Sequence, residues 1–204
     1  MATLLFFDDS HTYTVDGEPV PSVSELCRFI SREVYKDAAQ FRLDNAAERG
    51  TSVHKATEIL DKYGKCEVTE DIEPYLRAYL AFRKEHECQW QKIEFATHHP
   101  DRLYAGTLDR YGLVDGVPAI VDIKSCATVD PAHRTLYTAQ LNLYRRMLPE
   151  TMPVEKLYVL HLKKDATYKL WELPVEDSLA DACLTLHAAL KKKKRKKKEQ
   201  ENNG

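Results

Sequence analysis

The sequence predicts an α/β protein: a central mixed sheet with helices on both faces, in the order αβββαβ, with an N-terminal hairpin and a C-terminal helix as additions. Three observations predict it. Alternating residues over 90–98 and around 108–113, then a Val/Ile-rich run over 117–123, give three successive strands joined by short turns. Apolar residues three and four apart mark helices before and after them, at 71–87 and 132–147. A further apolar run from about 156 to 162 follows the second helix, which is the crossover that a parallel strand requires.

Composition narrows the class further. The 204 residues suit one domain over 1–190, since no Gly/Ser/Pro-rich linker divides them, followed by a basic tail at 191–204. Positions 191 to 198 are all Lys or Arg; without them residues 1–190 hold 22 basic against 30 acidic side chains, a balance of −8. The folded body is therefore acidic, which argues against a broad basic nucleic-acid coat but leaves room for a local field in a cleft. Five scattered cysteines with no C-x-x-C pair fit reduced thiols rather than a disulfide framework or a zinc site. No apolar run approaches about 20 residues, and Asp8-Asp9 follows the short Leu4-Leu5-Phe6-Phe7 run, so the expectation is a soluble cytoplasmic protein with no membrane association.

Taken in order, residues 4–7 and 11–15 form a hairpin, with Asp16-Gly17 as a turn before Glu18-Pro19-Val20. Ser22-Val23-Ser24-Glu25 is a capping box that opens a helix to about Ile30. Helix propensity over 35–48 breaks at Arg49-Gly50, after which Thr51 or Ser52 caps a second helix to Tyr63, stopped by Gly64. His54 and Glu58 share a face of that helix, with Glu58 open to a site role or to a surface pair with Lys55 or Lys62. The 71–87 helix carries a stripe of Ile72, Tyr75, Leu76, Tyr79, Leu80 and Phe82. On the next strand, Trp90, Lys92, Glu94 and Ala96 fall on one side. His98-His99 belongs to the loop at Pro100-Asp101. Gln140 and Tyr144 share a face of the 132–147 helix alongside Tyr137, and Arg134, Arg145 and Arg146 add charge that can meet phosphates. A strand pair follows around Lys164-Asp165-Ala166, with Trp171 either at the core edge or available to stack on a base. The last helix starts near Val175 and can run into the lysines, whose charge complements its C-terminal dipole and can also hold DNA nonspecifically.

The chemistry concentrates in 105–126, AGTLDRYGLVDGVPAIVDIKSC. Asp109 lies on the first strand of a hairpin turned at Val114-Asp115-Gly116; Asp122 and Lys124 lie on the second, two apart and so on one face. Two carboxylates and an ammonium at the ends of apolar strands are costly to bury unless paired or ligated. A hard divalent cation, Mg²⁺ or Mn²⁺, resolves that cost, and a lysine beside it can steady charge on a phosphoryl oxygen or hold a water.

This G-T-x-D followed by V-D-I-K resembles the active-site hairpin of the PD-(D/E)XK nuclease superfamily. Gly50-Thr51-Ser52-Val53-His54 upstream and Gln140 to Tyr144 downstream match the G-T-x-x-H and Q-x-x-x-Y motifs of its RecB-like branch, and the H-T-Y-T-V-D-G leader is similar to that of bacteriophage-type members. The resemblance covers roughly Arg49 to Tyr144 and implies a restriction-endonuclease-like core. It also implies metal ligation by His54, Asp109, Asp122 and the carbonyl of Ile123, with Glu94 where family members often carry a further acid. Lys124 then orients or activates water, Gln140 positions a DNA phosphate or that lysine, and Tyr144 supports it. The expected function is a Mg²⁺- or Mn²⁺-dependent DNA exonuclease in recombination or repair, acting on DNA, with room for a strand-annealing or recombination protein as partner. Only Cys183 follows the Q-x-x-x-Y motif, so no iron–sulfur cluster is expected. An endonuclease of the same core, a DNA-binding or assembly module with a silent site, and a hydrolase of small phosphate compounds are the rivals.

Overall fold

The computed structural model describes residues 3–7, 12–101 and 103–202, with side chains described as far as Lys193. His11, the expected start of the second strand, and most side chains of the basic tail lie outside the described residues. Strands β1 (Leu4–Phe7), β2 (Thr12–Val15) and β3 (Glu18–Val20) make a small antiparallel sheet. Its Asp16-Gly17 turn has both residues at positive φ, +51° and +83°, as a two-residue hairpin turn demands. Helices α1 (Val23–Leu26) and α2 (Arg28–Val34) follow; Ser22 caps the first by accepting a hydrogen bond from the Glu25 N–H at 3.0 Å.

Helix α3 (Gln40–Tyr63) departs from the expected break at Gly50. It is continuous, and the Thr51 and Ser52 hydroxyls bond back to the Ala47 and Glu48 carbonyls instead of capping a new start. A glycine costs a helix interior only about 1 kcal/mol, which the packing of the surrounding turns offsets. Gly64, at φ +74°, ends the helix as expected.

After α4 (Glu73–Glu85) comes a five-stranded sheet: β4 (Cys88–His98), β5 (Ala105–Val114), β6 (Val117–Lys124), β7 (Lys156–Leu162) and β8 (Tyr168–Leu173), in that spatial order. All neighbours are antiparallel except β6 and β7, which are joined in parallel through α5 (Pro131–Arg145). Asp130 caps α5 and Pro131 opens it. Simple alternation along β4 fails where its register against β5 shifts between Trp90 and Lys92, so that Gln91 is an inserted residue. Gly112 lies opposite, where a Cβ would come within 2.1 Å of the Gln89 carbonyl oxygen, so no other residue fits.

The sheet separates two cores. On one face α3 and α4 bring Val53, Ala56, Tyr79 and Phe82 against Val121, Ile123 and Leu160. On the other, α1, α5 and α6 (Ser178–Asn202) bring Leu26, Tyr137, Leu143 and Cys183 to Tyr111, Ile120 and Val159. Helix α6 continues through the lysine run. No helix among the described residues is long and apolar enough to cross a membrane.

Candidate active site

The β5–β6 ladder stops at Arg110 and Val121, although β5 extends on to Ala105 and β6 to Lys124. In the opening, the Asp109 carboxylate takes over from the main chain, accepting the Ile123 N–H at 2.6 Å. Asp122 and Lys124 point to one face, with Lys124 Nζ 2.6 Å from Asp122 Oδ2. That approach is an ion pair without hydrogen-bond geometry, and buried Oδ2 has no hydrogen-bond partner among the described residues. Burial pushes the Asp122 carboxyl up to about 6; the Lys124 ammonium opposes that rise and the Asp109 carboxylate adds to it. Burial works against the charge on Lys124, but the two aspartates more than offset it and raise its pKa. The Tyr137 ring lies under that ammonium, 5.2 Å from its centroid.

Helix α3 supplies His54 from the opposite layer. Its Nε2 is 2.9 Å from the Ile123 carbonyl oxygen, while Nδ1 faces Asp109 Oδ1 at 3.5 Å and Glu94 Oε1 at 3.6 Å. Burial disfavours the imidazolium, yet the Asp109 and Glu94 carboxylates outweigh it and hold the ring at about 9. Glu94 reaches this cluster from a β4 residue in the left-handed region, φ +47°, a conformation that costs a non-glycine residue energy. Glu58, on the same helix as His54, pairs with Lys55 and Lys62 instead.

A buried network that sequence reasoning missed sets these acids in place. Arg110 has a fully buried side chain; its guanidinium meets Asp61 Oδ2 at 2.8 Å, Glu94 Oε1 at 3.1 Å, the Thr57 hydroxyl at 3.1 Å and the Asp109 carbonyl at 2.8 Å. Asp61 also accepts hydrogen bonds from Tyr79 and Arg83. His54, Thr57 and Asp61 stand at i, i+3 and i+7 of α3, one face presented to the sheet. The available signal was Arg110 itself, a cation in phase with the inward-facing Gly112 and Val114 of β5.

From the α5 side, the Gln140 amide donates to the Tyr144 hydroxyl at 3.1 Å. Burial and the Asp122 and Asp109 charges push the Tyr144 phenol well above its ordinary value. The tyrosine packs so closely on Gly106 that a Cβ there would lie 2.9 Å from its ring, a physical link between the glycine of G-T-x-D and the tyrosine of Q-x-x-x-Y. The N-terminal sheet reaches the same edge, where Tyr13 and Thr107 hydroxyls are 3.0 Å apart. His98, expected in the loop, is the last residue of β4 and pairs with Ala105, while His99 follows in the loop; both hydrogen-bond locally.

One imidazole nitrogen and carboxylate oxygens of Glu94 and Asp109, all within 4.8 Å of one another, form a donor set suited to a divalent cation. Asp122 lies outside that set, its Oδ2 held 2.6 Å from the Lys124 ammonium.

No family model matches the chain, and no curated protein sequence matches it. Among solved structures, it is similar to an alkaline exonuclease from Laribacter hongkongensis at 15% identity and a TM-score of 0.39, over 84% of this chain and 93% of that one. It is also similar to the protein SSO0001 at 16% identity and a TM-score of 0.35, over 82% of this chain and 76% of that one. By its own strand order and strand sense, with three antiparallel strands, a crossover helix and a parallel fourth strand, the chain has the αβββαβ order that the sequence predicts.

Proposed function

We propose that this protein is a metal-dependent DNA nuclease, and an exonuclease serving recombination or repair. The observation that carries the reading is the convergence of His54, Glu94, Asp109, Asp122 and Lys124 at the open end of the β5–β6 hairpin. In this reading His54, Asp109, Asp122 and the Ile123 carbonyl hold Mg²⁺ or Mn²⁺, with Glu94 as a further acid. The bound ion supplies an acidified water and neutralises charge growing on the phosphoryl oxygens.

The chain's own groups do the rest. Lys124, beside Asp122, orients or activates the attacking water or steadies a phosphoryl oxygen. Water attacks phosphorus in line, one P–O ester bond breaks, and the departing oxygen leaves with the bonding pair and takes up a proton. Gln140, held by Tyr144, faces a phosphate or Lys124 from the α5 side. Asp109 fixes the local shape through its bond to the Ile123 N–H and so couples ligand position to the fold of β6.

End-labelled linear DNA and covalently closed circles, incubated with Mg²⁺ or Mn²⁺ beside Lys124→Ala, test this. Progressive loss of linear DNA alone is expected, with cleavage nearly abolished and DNA binding kept in the variant. Cutting of closed circles would replace the exonuclease reading with an endonuclease. Full activity of Lys124→Ala would end the mechanism, and no cleavage of either DNA would favour a binding module.

A further inference from the structure

Several positive side chains on this protein are discharged against nearby acids. Arg145 and Arg146 pair with Asp177 and Asp181, Lys62 with Glu58, and Lys156 with Glu172. Arg134 and Lys169 differ: among the described residues neither forms an ion pair, and buried Arg134 Nε has no hydrogen-bond partner. Both lie against one ring. The Arg134 guanidinium is 5.0 Å and the Lys169 ammonium 3.5 Å from the centroid of Trp171. Cation–π attraction holds each of them there and gathers two like charges at one ring, an arrangement that an anion would relieve.

The sheet register ties this cluster to the candidate site. Lys124 pairs with His161 and His161 with Lys169, while Asp122 pairs with Val159 and Val159 with Trp171. Residues opposite one another share a face, so Trp171 and Lys169 stand on the face of Asp122 and Lys124, two strands away, or roughly 10 Å. Arg134 belongs to the same path, one turn of α5 before Tyr137, whose ring lies under Lys124. A duplex strand rises about 3.4 Å per nucleotide along the axis but winds as it rises, so a separation of roughly 10 Å spans only one or two phosphates of a strand.

We propose that Arg134, Trp171 and Lys169 form a phosphate-binding shelf that holds the nucleic-acid strand one or two phosphates from the cleaved bond. The inference rests on the nuclease reading and deepens it. Trp171 is the support that aims the two cations, and the ligand is backbone phosphate, bound without regard to base. The structure thereby selects among the arginines that the sequence offered: Arg145 and Arg146 pair with Asp177 and Asp181, whereas Arg134 has no ion pair among the described residues.

The test is the salt dependence of DNA binding in the full chain carrying Lys124→Ala, using a fluorescein-labelled 12-mer both single-stranded and as a duplex. Each phosphate contact adds about 0.9 to the log–log salt slope for duplex DNA and about 0.7 for a single strand. Arg134→Gln with Lys169→Gln should flatten the slope by about 1.8 for duplex or about 1.4 for the single strand. A charge-matched control, Lys65→Gln with Lys84→Gln on the far side of the sheet, should leave it unchanged, and Arg134→Lys with Lys169→Arg should retain it. An equal flattening by shelf and control variants, or none by the shelf variant, overturns the shelf while leaving the nuclease reading intact. Failure of the Lys124→Ala protein to bind either DNA, together with no cleavage by the wild-type chain, overturns both.

Discussion

At the scale of single residues, protons and metal compete for the same groups. The His54 pKa is raised in the fold, so the stability its imidazolium contributes is present below its ordinary value of 6.5 and is lost as pH rises through about 9. Asp122 is also raised, from 3.8 to about 6, so the fold favours its neutral form; that contribution is present below 3.8 and lost as pH rises through about 6. Both terms make the metal-free protein less stable toward alkaline pH. Mn²⁺ should therefore bind more tightly, and raise the melting temperature more, from pH 6 to pH 9, with proton release detectable by calorimetry in buffers of different ionisation enthalpy. An affinity flat across that range would exclude His54 as a ligand. Asp109→Asn or Asp122→Asn should remove measurable Mn²⁺ binding in the same titration. Arg110→Ala would leave buried Asp61 to Tyr79 and Arg83 and free Glu94 from its guanidinium; a loss of about 3–5 kcal/mol is expected in urea unfolding. Arg110→Lys, which keeps the charge but not the fork, should recover only part of it.

At the scale of elements, helix α3 is the instructive case. Gly50 sits one turn before His54, and a Cβ there would meet the Ser125 hydroxyl at 3.9 Å, an ordinary contact. Gly50→Ala should therefore stabilise the protein by about 1 kcal/mol, or about 3 °C in melting temperature, while narrowing the approach to the β6 end. The strands and helices were legible because each reports itself locally: alternation for β5, the two Asp-Gly turns, the stripe on α4, the capping Ser22 and the stopping Gly64. Candidate residues His54, Asp109, Asp122, Lys124, Gln140 and Tyr144 were legible as spaced motifs, and the fold gathers them around one hairpin end. The continuity of α3 through Gly50 was not, because long-range packing decides it against local propensity. Nor was the extra residue Gln91 in β4, since counting alternate positions cannot reveal an insertion whose compensation is Gly112 on another strand. The Asp61–Arg110–Glu94 network joins residues 49 and 16 positions apart and leaves no local pattern.

At the scale of the whole molecule, the −8 balance of residues 1–190 and the lysine-rich end of α6 make two electrostatic objects of opposite sign. Removing residues 191–204 should weaken DNA binding at low salt and matter little at high salt, if the run acts as a tether alongside the cleft. The strand opening at Asp109 has a different consequence. Because His54 enters it from the layer of α3 and Tyr144 closes it from the layer of α5, an ion seated there would rivet the two faces of the sheet together. Amide hydrogen exchange should then slow on metal addition in the middle of α3 and in α5 at once, though some 80 residues of chain lie between them, and Asp109→Asn should uncouple the two responses.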